Sequence, residues 1–600
     1  TLFPSQMNVS CTWEPELAEE MSSVIGKESR AVGINSAMSP VIDIARDHRW
    51  GRVYETYGED TYLTSQMGIH YVKGMQGDKK HGVACVAKHF LGYSETQGGL
   101  NTAATRITDR ELYEVFATPF EAAMREADVS SVMANYAEID GMCVVANRKI
   151  AHDLLRDTMK FEGILTSDGA GILKTYTDFK TASTYKEAGF LAKKAGTDTE
   201  IPVGASFRQL PDYVRSGQLE ESVLDESVRR VLKVKFEYGL FENPYQDPVH
   251  AKEVVDNPEN WDEAYEAHQK SVVLLKNKDQ VLPLTADKLE GKTVYVEYFS
   301  QKENPAQTEA LRKNLAEKYG IQVTEDYNQA DYAILFVNPK SGNYFSATAG
   351  YLELDICDGK IVHDVDELGR PAASTHAETT LQNAGKIKEI ADAVHNNGGM
   401  VISNVNFTLA WMLGNVEPYA DALLAGFDTY ADATMDVIVG DYNPTGKMPI
   451  TLPKNDEVIA VNADGVCISP NDVPGYLKDQ YMPEEMKDRN GKAYAYRDSE
   501  NNYYELNYGL SYEESEKPHR PSRPNSSNAS SGGSAAPATG NSGAVTGTWS
   551  VREDGQWTFK TSGGVTPASC WQYINWNGTN NWYYFNADGS MAVGWISLDG

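Results

Sequence analysis

Phe161-Glu162-Gly163-Ile164-Leu165-Thr166-Ser167-Asp168-Gly169 decides how the first half of this chain is read. Ile164-Leu165-Thr166 predicts a short buried strand of a parallel sheet, and the Gly169-Ala170-Gly171 run behind it a turn. Asp168 falls where that strand ends. In an α/β barrel the carboxyl ends of the strands are where chemistry is done, and a carboxylate presented there acts as a nucleophile or general base. On these residues alone a loop-capping aspartate is the commoner outcome, so the surroundings must decide.

Working outward, residues 1–245 alternate short apolar runs with helical patterns. The runs are Ser39-Pro40-Val41-Ile42-Asp43, Ala84-Cys85-Val86-Ala87-Lys88-His89-Phe90, Ser130-Ser131-Val132-Met133-Ala134 and Gly163-Ile164-Leu165-Thr166. Helical stretches lie between them, such as Asp109 to Ala127 behind a Thr108 cap, and a basic amphipathic helix from Glu226 to Phe236 closes the segment. Strand-helix alternation of this kind predicts a parallel sheet or (β/α)-barrel. Residues 246–280 read as a connector. Residues 281–512 predict a second α/β domain, with strands at Thr293–Val296, Tyr332–Val337, Met400–Ser403 and Ala422–Gly426 and helices at Gln307–Tyr319 and Ala384–Asn396. This second pattern is that of an open, doubly wound αβα sandwich.

Composition breaks after Tyr512. Residues 513–546 are rich in Pro, Ser, Gly and Asn without an apolar period, and predict a disordered linker. Six of the ten tryptophans then crowd between Trp549 and Trp595, so residues 547–600 form a separate aromatic module. The net charge of −31 repels phosphate backbones and argues against a nucleic-acid partner. No apolar run approaches the roughly 20 residues of a membrane span. The six cysteines are scattered and none forms a CxxC pair, which argues against structural zinc and a dense disulfide framework. Cys85 and Cys143 lie in apolar contexts and read as buried thiols. The chain opens on Thr1-Leu2-Phe3-Pro4 and closes inside a repeat pattern, and reads as a fragment at both ends.

Several runs, in order, resemble glycoside hydrolase family 3, the retaining β-glucosidase family. They are Ser39–Asp43 with Arg46-Asp47-His48-Arg49-Trp50-Gly51-Arg52; Tyr57-Gly58-Glu59-Asp60; Lys88-His89-Phe90-Leu91-Gly92-Tyr93; Ser167-Asp168; Gly239-Leu240-Phe241; Ser271–Asn277; and Pro444-Thr445-Gly446-Lys447-Met448-Pro449. The resemblance spans about residues 1–512. It implies a barrel joined to an αβα sandwich, an active site between them, and no metal or organic cofactor. It places Asp168 at the nucleophile position and implies substrate contacts from Lys88, His89, Arg52, Met133 and Tyr136. Tyr136 is expected to hydrogen-bond Asp168 and keep it ionised. Arg49 is expected to be a structural ion-pair partner of Asp47 or Glu55. The alternative for the Lys-His pair is a barrel lysine bound to Asp43 beside a capped core histidine.

The chain departs from the family pattern in three places. Gly169 stands where a tryptophan usually follows the nucleophile. The family's first barrel strand, with an aspartate that grips the sugar, precedes residue 1 and is missing from this chain. The acid/base glutamate comes from the second domain at a variable position. Glu353, Glu367 and Glu378 are its candidates, and Glu378, in a polar loop beside His376 shortly before a helix, is the favoured one.

The tail resembles cell-wall-binding repeats of the choline-binding type. Asn581-Trp582-Tyr583-Tyr584-Phe585, an Asn586-Ala587-Asp588-Gly589 turn and Ser590–Trp595 make one hairpin, behind a degenerate copy at Trp571–Trp576. The expectation is therefore a secreted, Gram-positive type enzyme held on the cell wall or a surface polymer, acting on a β-linked glucoside or oligosaccharide. A β-xylosidase or arabinosidase, or a non-catalytic carbohydrate-binding surface protein, are the alternatives.

Overall fold

A computed structural model describes residues 1–255, 257–342, 352–365, 371–459, 479, 482–512, 546–552, 556–568, 570–576 and 579–591. The chain divides into two compact units, Thr1–Glu513 and Glu514–Gly600.

The first half of the larger unit is barrel-like. Strands β1 (Ser36–Ala37), β2 (Ala84–Phe90), β3 (Ser131–Ala134) and β4 (Ile164–Ser167) form one parallel sheet in the order β1-β2-β3-β4. A parallel bridge from Val41 to Lys88 prolongs the β1 side, and another from Thr166 to Thr199 continues beyond β4. β2, β3 and β4 are buried on both faces, which is why they read as unbroken apolar runs rather than alternating ones. Crossover helices α1 (Thr61–Gln76) and α2 (Thr118–Ala127) connect them, and α3 (Gly171–Thr177) follows β4. Asp60 caps α1 by accepting from the Leu63 amide. Thr108 caps the helical stretch leading to α2 by accepting from Glu111, as expected. The closing helix is α4 (Glu221–Glu237). Among the described residues no strand pairs with the outer edge of β1.

The second half is an αβα sandwich. Helix α5 (Pro258–Ser271) leads into β5 (Val273–Asn277). Both lie within the stretch expected to be connector, but β5 is the antiparallel edge of the second sheet. The sheet continues with β6 (Val294–Ser300), β7 (Val323–Thr324) and β8 (Tyr332–Asn338). A separate two-stranded hairpin, β9 (Lys360–Val365) and β10 (Pro371–Glu378), precedes β11 (Met400–Asn406) and β12 (Ala422–Gly426). The six-stranded order is β7-β6-β8-β11-β12-β5, parallel except for β5. Helices α6 (Pro305–Lys318), α7 (Gly385–Asn396) and α8 (Ala431–Val439) connect the strands.

The two halves share one apolar core. Trp50, Val53, Tyr93 and Ala137 of the barrel pack with Phe299, Leu335, Trp411 and Tyr494 of the sandwich. A buried polar chain crosses the same boundary: Tyr494 Oη to His48 Nδ1 at 2.6 Å, His48 Nε2 to Glu59 Oε2 at 3.0 Å, and Glu59 Oε1 to Thr451 Oγ1 at 2.6 Å. Cys85 and Cys143 are buried, as expected.

In the smaller unit, β13 (Gly547–Val551) pairs with β14 (Trp557–Thr561), and β15 (Cys570–Trp576) with β16 (Thr579–Phe585). The Asn586–Gly589 turn forms as expected, with Gly589 donating to the Asn586 carbonyl at 2.9 Å and Met591 bridging back to Phe585. Trp571–Trp576 is not a hairpin of its own; it belongs to the strand opposite β16. Phe559, Ile574 and Phe585 make the small core. The expected linker lies outside the described residues up to position 545, as do Glu367, Cys467 and Trp595.

Candidate active site at the barrel rim

Register brings the expected residues together. Lys88 on β2 stands opposite Met133 on β3, which stands opposite Thr166 on β4. His89 on β2 and Asp168 just past β4 therefore lie on the same rim, on either side of β3. His89 Nε2 lies 3.5 Å from Asp168 Oδ2. The His89 ring is fully buried and the Asp168 side chain keeps 15% of its surface, so the carboxylate is the reachable member of the pair. Asp168 Oδ1 accepts from its neighbour's amide, Gly169 N–H, at 2.6 Å.

Asp43 stands behind His89. Its Oδ2 lies 2.7 Å from His89 Nδ1 and accepts from the His89 backbone N–H at 3.0 Å. The expected alternative partner of Asp43 was Lys88; the structure gives it His89. Burial pushes the Asp43 carboxyl up to about 7 against the pull of the His89 amide and Arg52. Burial, and then Arg52 and Lys88, hold His89 well below the usual imidazole range, so the ring is neutral. Lys88 is drawn below the ordinary ammonium range by burial and then by Arg52.

Arg52 is buried and forked onto Glu55, with Nε and Nη2 each 2.7 Å from a carboxylate oxygen. Its guanidinium also lies over the Tyr93 ring, 5.5 Å from the centroid. Arg49 pairs with Asp47 at 2.7 Å, the structural role expected of it. Tyr136 does not direct its hydroxyl to Asp168 alone: it donates to the Gly169 carbonyl at 2.9 Å. Burial, and then the nearby Asp168 charge, raise its phenol above the usual range. Met133 is buried in the sheet. Tyr93, to which the sequence pattern assigns no role, stands edge-on to His89 at 5.1 Å and beside Tyr136 at 6.1 Å. Its signal is its place three residues beyond the Lys88-His89-Phe90 strand end.

Gly169 leaves room. A Cβ there would meet only the Tyr136 hydroxyl, at 3.4 Å. A Cβ beside Asp168 would therefore find open space, where the family pattern puts an aromatic residue.

Glu378 is not in a loop. It ends β10, opposite Lys360 in the hairpin register, and contacts His376 Nε2 at 2.8 Å. The stretch Pro371–Glu378 has no apolar period and so reads as loop; pairing with β9 supplies the ladder that its own pattern does not announce. Glu353 is buried, and its carboxyl is raised by that burial despite the Lys360 ammonium 3.1 Å away. Lys360 also binds Asp456 at 2.6 Å. The two glutamates thus meet at one lysine, one as its strand partner and the other as its ion partner.

A cleft of about 380 Å³ bounded by Lys79, Ser130, Gly163 and Lys233 lies at the amino ends of β3 and β4, the end opposite Asp168.

Comparison with known proteins gives the family of both halves. Residues 1–234 match the glycosyl hydrolase family 3 N terminal domain, and residues 272–512 the family's C-terminal domain. A putative beta-xylosidase of Formosa agariphila is 29% identical over 530 residues, covering 86% of this chain and 67% of that protein. The periplasmic beta-glucosidase of Salmonella typhimurium is 28% identical over 495 residues, covering 76% of this chain and 63% of that protein. This chain thus spans about two thirds of the length of these relatives. The crystal structure of a beta-glucosidase from Listeria innocua in complex with glucose shares the fold, with a TM-score of 0.67 at 24% identity over 85% of this chain and 70% of that one.

Proposed function

Because the chain belongs to glycosyl hydrolase family 3, we propose that it is a retaining, exo-acting β-glycosidase, a β-glucosidase that releases terminal non-reducing β-D-glucose. The observation that carries this reading is the placement of Asp168: a part-exposed carboxylate at a parallel strand end, with His89 3.5 Å away and Lys88 and Tyr136 beside it. Asp168 attacks the anomeric carbon and forms a covalent glycosyl ester, while a second carboxyl protonates the departing oxygen and then activates water. A retaining pair stands about 5–5.5 Å apart in the assembled site. Glu378 is proposed for the second role. Glu353 is its competitor, because burial raises its carboxyl above the ordinary range, the direction a proton donor needs.

Lys88 and the Arg52–Glu55 fork are proposed to hold sugar hydroxyls. An ammonium and a fixed guanidinium supply donors, and the Tyr93 and Tyr136 faces supply an apolar wall. The names of the Formosa relatives favour a second reading, a β-xylosidase, in the same pocket. The aromatic hairpins of the smaller unit are proposed to hold the secreted enzyme on a Gram-positive wall or surface polymer. Turnover of aryl β-glucoside, β-xyloside and α-arabinoside by the full chain tests the proposal. Preference for the glucoside supports it, preference for a pentoside selects the second reading, and no turnover of any leaves a carbohydrate-binding protein.

A further inference from the structure

The buried pair behind the nucleophile has a chemistry that nucleophilic attack does not use. Asp43 Oδ2 faces both the His89 backbone amide and His89 Nδ1, at 3.0 and 2.7 Å. An oxygen placed between two nitrogens in this way serves as a double acceptor, which fixes the proton of a neutral imidazole on Nδ1. The other ring nitrogen, Nε2, then carries a bare lone pair. It has no hydrogen-bond partner among the described residues, and its nearest charged neighbour is Asp168 Oδ2 at 3.5 Å. Two acceptors facing each other at that distance do not satisfy one another. A hydroxyl group placed beside them does, by donating to one of them. The sugar that Asp168 attacks brings hydroxyls to this spot.

We propose that Asp43 is a positioning residue for the glycosidase reaction: it locks His89 in the Nδ1–H tautomer so that Nε2 accepts a hydroxyl proton from the sugar bound against Asp168. The inference rests on the glycosidase reading of Asp168, but its central claim concerns the protein without substrate.

The rest of the surroundings supports a pair that changes state with pH. Lys88 on β2 and Arg52 beyond the first strand are the cations that face it. Glu55 and Asp168 are the facing anions, and the Tyr93 ring lies edge-on to the imidazole. A proton added to the pair goes to the Asp43–His89 unit as a whole. It makes Nε2 a donor toward Asp168, and the acceptor is lost. Activity should therefore fall on the acid side as the pair takes up its proton. With Asp43 replaced by a group that cannot titrate, the limb should move to lower pH, because the cations disfavour protonation of His89 alone.

Three variants of the full chain and one spectroscopic measurement test this. Asp43→Ala removes the orienting oxygen and should lower kcat/KM by about 10²-fold, the cost of a misplaced group in an active site. Asp43→Asn can present the same oxygen to both nitrogens and should recover most of that loss while moving the acid limb to lower pH. In a His89→Gln background, Asp43→Asn should have little further effect. Histidine ring-nitrogen NMR on the wild-type chain at pH 8, with the His89 signal identified by its loss in His89→Gln, should show a protonated Nδ1 and a bare Nε2. An Asp43→Asn protein that is folded but as slow as Asp43→Ala overturns the proposal, as does an unchanged acid limb. A protonated Nε2 in the wild type at pH 8 overturns it even if neither variant folds and even if no glycoside is turned over, so its failure is separable from failure of the glycosidase reading.

Discussion

In the proposed reaction the barrel rim and the β9–β10 hairpin each offer a carboxylate, and they hold it in opposite ways. Asp168 leaves a strand whose neighbours are fixed by register, and it is backed by fully buried His89 and Asp43. Glu378 ends a two-stranded hairpin, keeps 37% of its side-chain surface, and touches an exposed histidine. A nucleophile must meet one atom along one line, so a rigid, largely buried mount suits it. A proton donor that returns as a base must reach the leaving oxygen and then water, which a more exposed mount allows.

The comparison breaks first at Asp168. Asp168→Ala should lower turnover of an aryl glucoside by about 10⁴-fold or more, because no covalent intermediate can form. Added azide should restore part of the rate and yield the α-glycosyl azide, the inverted product. A variant retaining a tenth of the activity would move the nucleophile elsewhere on the rim.

The hairpin side is tested by leaving-group dependence. Glu378→Gln should slow hydrolysis of glycosides with poor leaving groups by about 10²–10⁴-fold and spare those that depart without a proton. If Glu378→Gln shows no such split and Glu353→Gln does, the acid is the buried member of the Lys360 cluster, and the contrast in mounting disappears.

How much of this was legible follows the same divide. β2 and β12 were bounded correctly from sequence because strands buried on both faces are continuous apolar runs. Asp168, Lys88 and His89 were visible because each sits at the end of such a run. The Asp43–His89 pair was not, since it depends on how two strand ends meet, and the obvious charge partner for Asp43 was Lys88. β5 was hidden inside a connector because its role is set by a partner strand almost 150 positions away. β10 was hidden because its residues carry no strand signal. For the Asp43–His89 pair and β5 the deciding contact is long-range, and for β10 it is the hairpin partner β9; the residues' own pattern encodes none of them.

A third prediction sharpens the comparison from stability. Asp43 has its folded pKa raised from 3.8 to about 7 by burial, so the folded protein binds a proton there that the unfolded chain releases. Its contribution is fully present below pH 3.8 and is lost as pH rises through about 7. In chemical denaturation at constant ionic strength, the wild type should lose stability relative to Asp43→Asn between pH 5 and 8. The two stability–pH curves running parallel across that window would show that Asp43 ionises no less easily than in the unfolded chain.

The open ground at Gly169 predicts a smaller effect. Gly169→Trp adds a ring on a Cβ that would itself meet only the Tyr136 hydroxyl. A stacked aromatic contact is worth about 0.5–1.5 kcal/mol, so KM for an aryl glucoside should fall roughly two- to tenfold with kcat little changed. An unchanged KM would mean that another loop already supplies the aromatic face.

The smallest kinetic effect is expected from the smaller unit, and its smallness is the point. Among the described residues its core is Phe559, Ile574 and Phe585, and its strands are two hairpins that pair within residues 547–585. The described features of the rim lie before Tyr512: the sheet register, the Asp43–His89 pair, the Arg52–Glu55 fork and the Lys360 cluster. Ending the chain at Tyr512 should therefore leave kcat and KM for a small soluble glucoside within about twofold, the range of a change that touches no catalytic contact. The same truncation should reduce retention on purified Gram-positive walls, because the aromatic hairpins are removed. Both measurements belong on one pair of proteins. A large fall in kcat would mean that the hairpins contribute to the barrel rim. Equal wall binding by the two forms would remove the anchoring proposal and leave the aromatic module without a partner.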